Sequence, residues 1–245
     1  MEKMAQYQYF KVVQTQHIFE VYKYEKLNVN GGGHRDFVDG AQRDENYKNR
    51  QKVRRDSIRR LVCANFDSGS KFVTLTFRDG AVSDIRDVKV CNYYFMNFVK
   101  RVRYRYPDFK YVAVIEFQDK RGRGAVHYHM ICNLPYVDKK ELQDIWRGGF
   151  VKINAIDKVD NVGAYVIKYM TSDMDDKRLQ GLDAYLHSKR LIQPSVAFSW
   201  ANRAMYEQTL DLIEQLEKEK SPSYAATYKS EHAGDISYQQ FNLAK

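Results

Sequence analysis

Residues 126–132 read Val126-His127-Tyr128-His129-Met130-Ile131-Cys132, and the fold is organised around this stretch. Its β-branched and aromatic side chains, with no Gly or Pro among them, predict a strand. Alternation along a strand puts His127, His129 and Ile131 on one face and the other side chains, which suit a core, on the opposite face. Two adjacent neutral imidazoles can hold one metal ion. The alternative is a pair of partly buried histidines that hydrogen-bond to their neighbours.

A carboxylate in the preceding apolar run strengthens the metal interpretation. Residues 111–117 (YVAVIEF) also predict a strand, and the Gly- and charge-rich segment 118–125 predicts a hairpin connection. Burying Glu116 in such a run is costly unless it has a partner, and a metal shared with His127 and His129 would provide one. The alternative is a Glu at the strand end that faces water or pairs with Arg121 or Arg123.

A tyrosine pair follows in residues 162–170 (VGAYVIKYM), which predict a helix with Asp160 or Asn161 as its N-cap. Tyr165 and Tyr169 are four residues apart and therefore share one helical face, with Lys168 beside them. The alternative is that both tyrosines are half-buried packing residues.

Taken together, these residues resemble the HUH endonuclease superfamily, and most of all the rolling-circle replication initiators of small plasmids and single-stranded-DNA phages. The resemblance rests on His-hydrophobic-His on a strand followed by Tyr-x-x-Lys-Tyr on a helix. Residues 72–77 (FVTLTF) resemble the family's first motif strand, and residues 185–194 (YLHSKRLIQP) resemble the segment after the tyrosine helix. It covers about residues 70 to 195.

The resemblance implies a central antiparallel sheet with the His pair in its middle, and a metal, Mg²⁺ or Mn²⁺, held by Glu116, His127 and His129. It also implies nicking of origin DNA by Tyr169 or Tyr165, with Lys168 stabilising phosphate charge. The products would be a 5′-phosphotyrosine link and a free 3′-hydroxyl, and the second tyrosine would rejoin strands at termination. We expect Tyr169 to make the first cut, because it directly follows Lys168.

The expected partners are single-stranded or hairpin origin DNA, with a host helicase and polymerase. A relaxase or transposase would share the chemistry, but relaxases usually carry three histidines and an N-terminal tyrosine, and single-strand transposases usually have one tyrosine and a shorter chain. The non-enzymatic alternative is a basic module that binds single-stranded DNA and in which the His pair is structural. Metal-dependent nicking separates that alternative from the others.

Composition agrees with a DNA partner. The 245 residues carry a net charge of +9, which favours nucleic acid first and a membrane surface second. Three cysteines, without an even framework, fit a reducing cytoplasm. We expect no transmembrane span and no signal peptide. Basic residues cluster at 43–60, where a helix could lie along a phosphate backbone, and on the wet face of a predicted helix at 85–106.

The expected fold class is α+β, with a central antiparallel sheet flanked by helices. The expected domains are a basic N-terminal extension (1–66), an HUH endonuclease domain (67–200), and a C-terminal helix with a flexible tail (201–245). The tail, residues 221–245, is polar and predicts weak packing at most.

Overall fold

The computed structural model describes residues 9–26, 40–119, 122–156, 163, 167, 176–183, 185–201, 203–230 and 233–243, with only the backbone described at 40–50. The chain divides into two compact units. The central unit is Tyr47–Ile192, and the terminal unit combines Met1–Asn46 with Gln193–Lys245. The α+β class is confirmed, but there are two five-stranded antiparallel sheets where the sequence predicted one.

The sheet of the central unit has the strand order β6-β3-β5-β4-β7, with every neighbouring pair antiparallel. Its strands are β3 (Lys71–Thr76), β4 (Tyr111–Phe117), β5 (Val126–Cys132), β6 (Val151–Ala155) and β7 (Tyr185–His187). The predicted hairpin of β4 and β5 is confirmed, and β5 is the middle strand. The His-x-His stretch therefore has a hydrogen-bonded strand on each side, which holds it rigidly.

One face of this sheet is covered by α2 (Val88–Arg105) and α3 (Lys139–Trp146). The carboxylate of Asp87 begins α2 by accepting hydrogen bonds from the backbone N–H groups of residues 89 and 90. The predicted apolar stripe of α2 is buried, and Phe95 stacks on Tyr128 of β5 with ring centroids 4.4 Å apart. Each fully buried side chain of this size contributes about 1.5–3 kcal/mol. This face is therefore a closed core.

The opposite face carries the histidines and is covered at one end by α1 (Gly40–Asn65). Four apolar side chains at the end of α1 and just beyond it pack on the far ends of β3, β4 and β5: Ile58, Leu61, Val62 and Phe66. They contact Phe72, Val112 and Ile131. Glu116 and His127 lie at the other end of the same strands, because β4 and β5 run in opposite directions. The end of this face that carries the predicted ligands is thus separate from the α1 core.

The terminal unit has its own sheet, in the order β8-β1-β2-β10-β9. Its elements are β1 (Tyr9–Gln14), β2 (Ile18–Tyr24), β8 (Ser195–Phe198), α4 (Arg203–Glu219), β9 (Tyr224–Ser230) and β10 (Gly234–Asn242). Ile213 of α4 packs on Phe10, Val21 and Phe241 of this sheet. The predicted apolar face of α4 is confirmed.

The prediction of a flexible tail at 221–245 is wrong for β9 and β10. Strand β10 lies between β2 and β9 and pairs with both, so its backbone hydrogen bonds are satisfied on each side. Its polar side chains concealed the strand, although Tyr238 and Phe241 are buried. The expected boundaries at 66/67 and 200/201 do not coincide with the two compact units. Among the helices that the structure describes, none combines the length and apolar character that a bilayer crossing requires.

Candidate metal centre

The three predicted ligands lie together on the open end of the β4–β5 hairpin. Glu116 and His127 are direct cross-strand partners, and His129 is two residues further along the same face of β5. One ligand atom from each residue lies within 4.8 Å of the other two. Two imidazole nitrogens and one carboxylate oxygen at this spacing can share a divalent cation and leave coordination positions for water or substrate.

His127 is held in a state that suits coordination. Its side chain is 8% exposed, and its Nε2 is buried without a hydrogen-bond partner among the described residues. Burial, and after it the neighbouring His129, lowers the pKa of His127 to about 4. The ring is therefore neutral at pH 7. A buried polar atom with no partner is uncommon, and a bound cation would satisfy it.

His129 is oriented from both of its nitrogens. Its Nε2 is hydrogen-bonded to Oε2 of Glu116, and its Nδ1 lies 3.2 Å from Oγ1 of Thr74 on β3. If Nε2 binds a cation, the ring proton must sit on Nδ1, so Thr74 must accept that hydrogen bond. The cation would then replace the proton between Nε2 and Glu116. Phe72 stacks on the same ring at 5.8 Å and limits its rotation.

The sequence analysis quoted Thr74 within FVTLTF but gave it no role. The signal was present in the alternation of this strand, which puts Thr74 and Thr76 on the face opposite to the buried Val73 and Leu75. Only the pairing of Thr74 with His129 across β3 and β5 shows which of the two threonines reaches the imidazole.

Two arginines near the site are engaged by the protein itself. Arg123 donates to the carbonyl oxygen of Phe77 at 2.7 Å and to Asp79 at 2.8 Å. Arg178 donates to both Asp119 and Asp176, and its guanidinium lies 3.6 Å from the centroid of the Phe117 ring. Hydrogen bonds from Arg178 hold the pKa of both carboxyl groups below its usual range. These contacts brace the end of β4 beside Glu116.

The predicted nucleophiles Tyr165 and Tyr169, and Lys168, lie outside the described residues. Two neighbours in sequence, Gly163 and Ile167, are described, and both are helical. A Cβ at Gly163 would collide with Sγ of Cys63 in α1, so glycine permits this close approach. Ile167 packs on the same core as α1, which is on the sheet face that carries the ligands. Segment 185–194, the other part of the resemblance, begins as edge strand β7.

Replacing Thr74 with valine tests how His129 is oriented. The shape is nearly kept but the acceptor for Nδ1–H is lost, so we expect Mn²⁺ affinity to fall about 10–100-fold. Thr74→Ser keeps the hydroxyl and should bind nearly as the wild type does. Titration calorimetry with Mn²⁺ measures both variants, and equal affinities for Thr74→Val and wild type would contradict this role.

The fold and this site together define an α+β unit that presents a His-x-His strand and a carboxylate as a candidate metal centre. Residues 70–174 match a family model of replication-associated proteins, the ORF2 family. The matched segment is less than half of the chain, lies within the central unit, and contains the three candidate ligands. It supports a rolling-circle replication initiator. Comparisons with curated proteins and with solved structures returned no match.

Proposed function

We propose that this protein initiates rolling-circle DNA replication by nicking one strand of origin DNA, with the chemistry of an HUH endonuclease. The observation that carries the proposal is the convergence of Glu116, His127 and His129 within a segment that matches a replication-associated family. Neither finding alone identifies a nuclease. Together they support metal-assisted chemistry on DNA.

In the proposed reaction a tyrosine oxygen, from Tyr165 or Tyr169, attacks a phosphodiester phosphorus. The new bond joins the phenolic oxygen to phosphorus, and the bond from phosphorus to the 3′-oxygen breaks. The phenol loses its proton and the leaving 3′-oxygen gains one. The products are a 5′-phosphotyrosine link and a free 3′-hydroxyl that a polymerase can extend. The second tyrosine would reverse this step at a new strand end and rejoin the DNA.

The residues of the site have separate tasks in this proposal. Glu116, His127 and His129 would hold Mn²⁺ or Mg²⁺, which when bound supplies charge neutralisation at the phosphate. The two imidazoles favour Mn²⁺ over Mg²⁺, since Mg²⁺ prefers oxygen ligands. Thr74 keeps His129 in the tautomer that can coordinate. Lys168 would stabilise the charge that develops on the phosphate oxygens.

The structure favours α1 over α2 as the basic element that meets DNA. α1 packs on the sheet face that carries the candidate ligands, whereas α2 packs on the opposite face. Cations of α2 are also occupied: Arg101 donates to two backbone carbonyls of α3, and Arg105 pairs with Glu141. Lys52, Arg54 and Arg55 of α1 are exposed, which suits a phosphate contact.

A nicking assay with and without chelator tests the proposed function. The substrate is a pool of closed circular single-stranded DNA with a randomised segment, because the origin sequence is part of what is sought. We expect Mn²⁺-dependent conversion of some circles to linear strands that keep the protein attached through denaturing electrophoresis, and none in EDTA. Binding of the circles without any nicking would instead indicate a non-catalytic DNA-binding module.

A further inference from the structure

We infer that the β6 edge of the central sheet holds the single-stranded DNA beside the scissile phosphate, through a phosphate contact from Lys152 and stacking of a base on Phe150. This inference rests on the proposed function and specifies where the substrate strand runs. Strand β6 is the last strand of its sheet, next to β3, so its outer side is open among the described strands.

The strand register places Lys152 on the face of the candidate metal centre. Lys152 is the direct partner of Thr74 on β3, and Thr74 is in turn the direct partner of His129 on β5. Direct partners in an antiparallel sheet project from the same face. The row from His129 to Lys152 spans two strand spacings, or about 10 Å. The flexible four-carbon stem of a lysine can therefore bring its ammonium above Thr74, close to an anion at the metal centre.

Lys152 is available for that contact. Its side chain is exposed, and it makes no hydrogen bond or ion pair within the structure's described ranges. Arg123 and Arg178, by contrast, are engaged by protein carboxylates or carbonyls. A cation without a protein partner, beside a metal centre, suits a substrate that carries one negative charge per nucleotide.

Phe150 adds the second element that a single strand requires. It immediately precedes β6, and its carbonyl accepts a hydrogen bond of 2.9 Å from the backbone N–H of Thr76, the β3 partner of His127. Its side chain is 51% exposed, although burial would favour an apolar ring. The ammonium of Lys139 lies 4.3 Å from the ring centroid, which brings a further positive charge to the same edge. An exposed ring among lysines is the combination by which proteins bind single strands without reading sequence.

Salt-dependent binding of a fluorescent oligo(dT) strand, measured in EDTA so that nothing is cut, tests this surface. Lys152→Ala should lower the slope of log affinity against log salt by about 0.7, the value for one phosphate on a single strand. Lys152→Arg should restore the slope. Lys140→Ala removes the same charge from exposed α3, on the opposite side of the sheet, and should leave the slope unchanged. Phe150→Ala should weaken binding about fivefold or more, and Phe150→Tyr should not.

The outcomes separate this surface from the proposed function. A slope for Lys152→Ala equal to that of the wild type, in a protein that nicks DNA, overturns the surface and leaves the function standing. A lowered slope in a protein that never nicks supports the surface and overturns the function. Mn²⁺ affinity measured without DNA should be the same in Lys152→Ala and wild type, and a loss of metal binding would show that the variant acts through the metal centre instead.

Discussion

Replacing His127 and His129 together with alanine should lower metal-dependent nicking of single-stranded DNA by about 10³-fold or more, because stabilisation by a metal ion contributes several kcal/mol to such reactions. Binding of the strand should persist, since phosphate contacts come from Lys and Arg. Nicking rates and oligonucleotide affinity, measured on the same preparation, give the two halves of this result.

A thermal measurement separates loss of the metal from loss of the fold. Wild-type protein at a Mn²⁺ concentration of about 100 times the dissociation constant should gain about 2.7 kcal/mol of stability, and the double variant should gain none. His187→Ala is the matched control, because His187 is an exposed histidine on β7 that is outside the ligand group. If the double variant nicks DNA at the wild-type rate with metal present, the metal assignment is wrong.

The tyrosine pair gives the second large effect. Tyr165→Phe and Tyr169→Phe should each leave some cleavage or strand joining, whereas the double variant should leave none. Phenylalanine removes only the nucleophilic oxygen and changes the volume of the side chain little, so loss of folding is not expected. The assay is the yield of protein–DNA adduct after denaturing electrophoresis. Adduct at the wild-type level in the double variant would remove both residues from the reaction.

The order of the two tyrosines remains a prediction from sequence. Tyr169 directly follows Lys168, as in many plasmid initiators that the chain resembles, and should therefore carry the DNA after the first cut. Peptide mapping of the adduct trapped in each single variant distinguishes the two positions. Adduct found on Tyr165 alone in the wild-type protein would reverse the roles.

The candidate ligands were predictable from sequence because they depend on local rules. Alternation along β5 puts His127 and His129 on one face, and the Gly-rich connection predicts that β4 pairs with β5. Glu116 then falls opposite His127, as the register shows. The buried stripe of α2 follows equally from helical periodicity, which depends on no distant contact.

The missed features all depend on long-range pairing. Strand β10 is polar along much of its length and is stabilised by β2, which is far away in the sequence. Edge strands β7 and β8 are short and partly exposed, so their side chains carry little periodic signal. The roles of Thr74 and Lys152 appear only when the order β6-β3-β5 is known, because that order puts them in one row with His129.

Mass spectrometry of the protein after incubation with circular single-stranded DNA and Mn²⁺ tests the central claim most directly. Nuclease digestion leaves a nucleotide remnant on any residue that has attacked the DNA. We expect a phosphodiester-linked remnant on Tyr169 or Tyr165 in the wild-type protein, and none when EDTA is present or when His127 and His129 are both alanine. A remnant that forms equally well without metal, or DNA that is cut with no remnant on either tyrosine, would contradict the proposed mechanism.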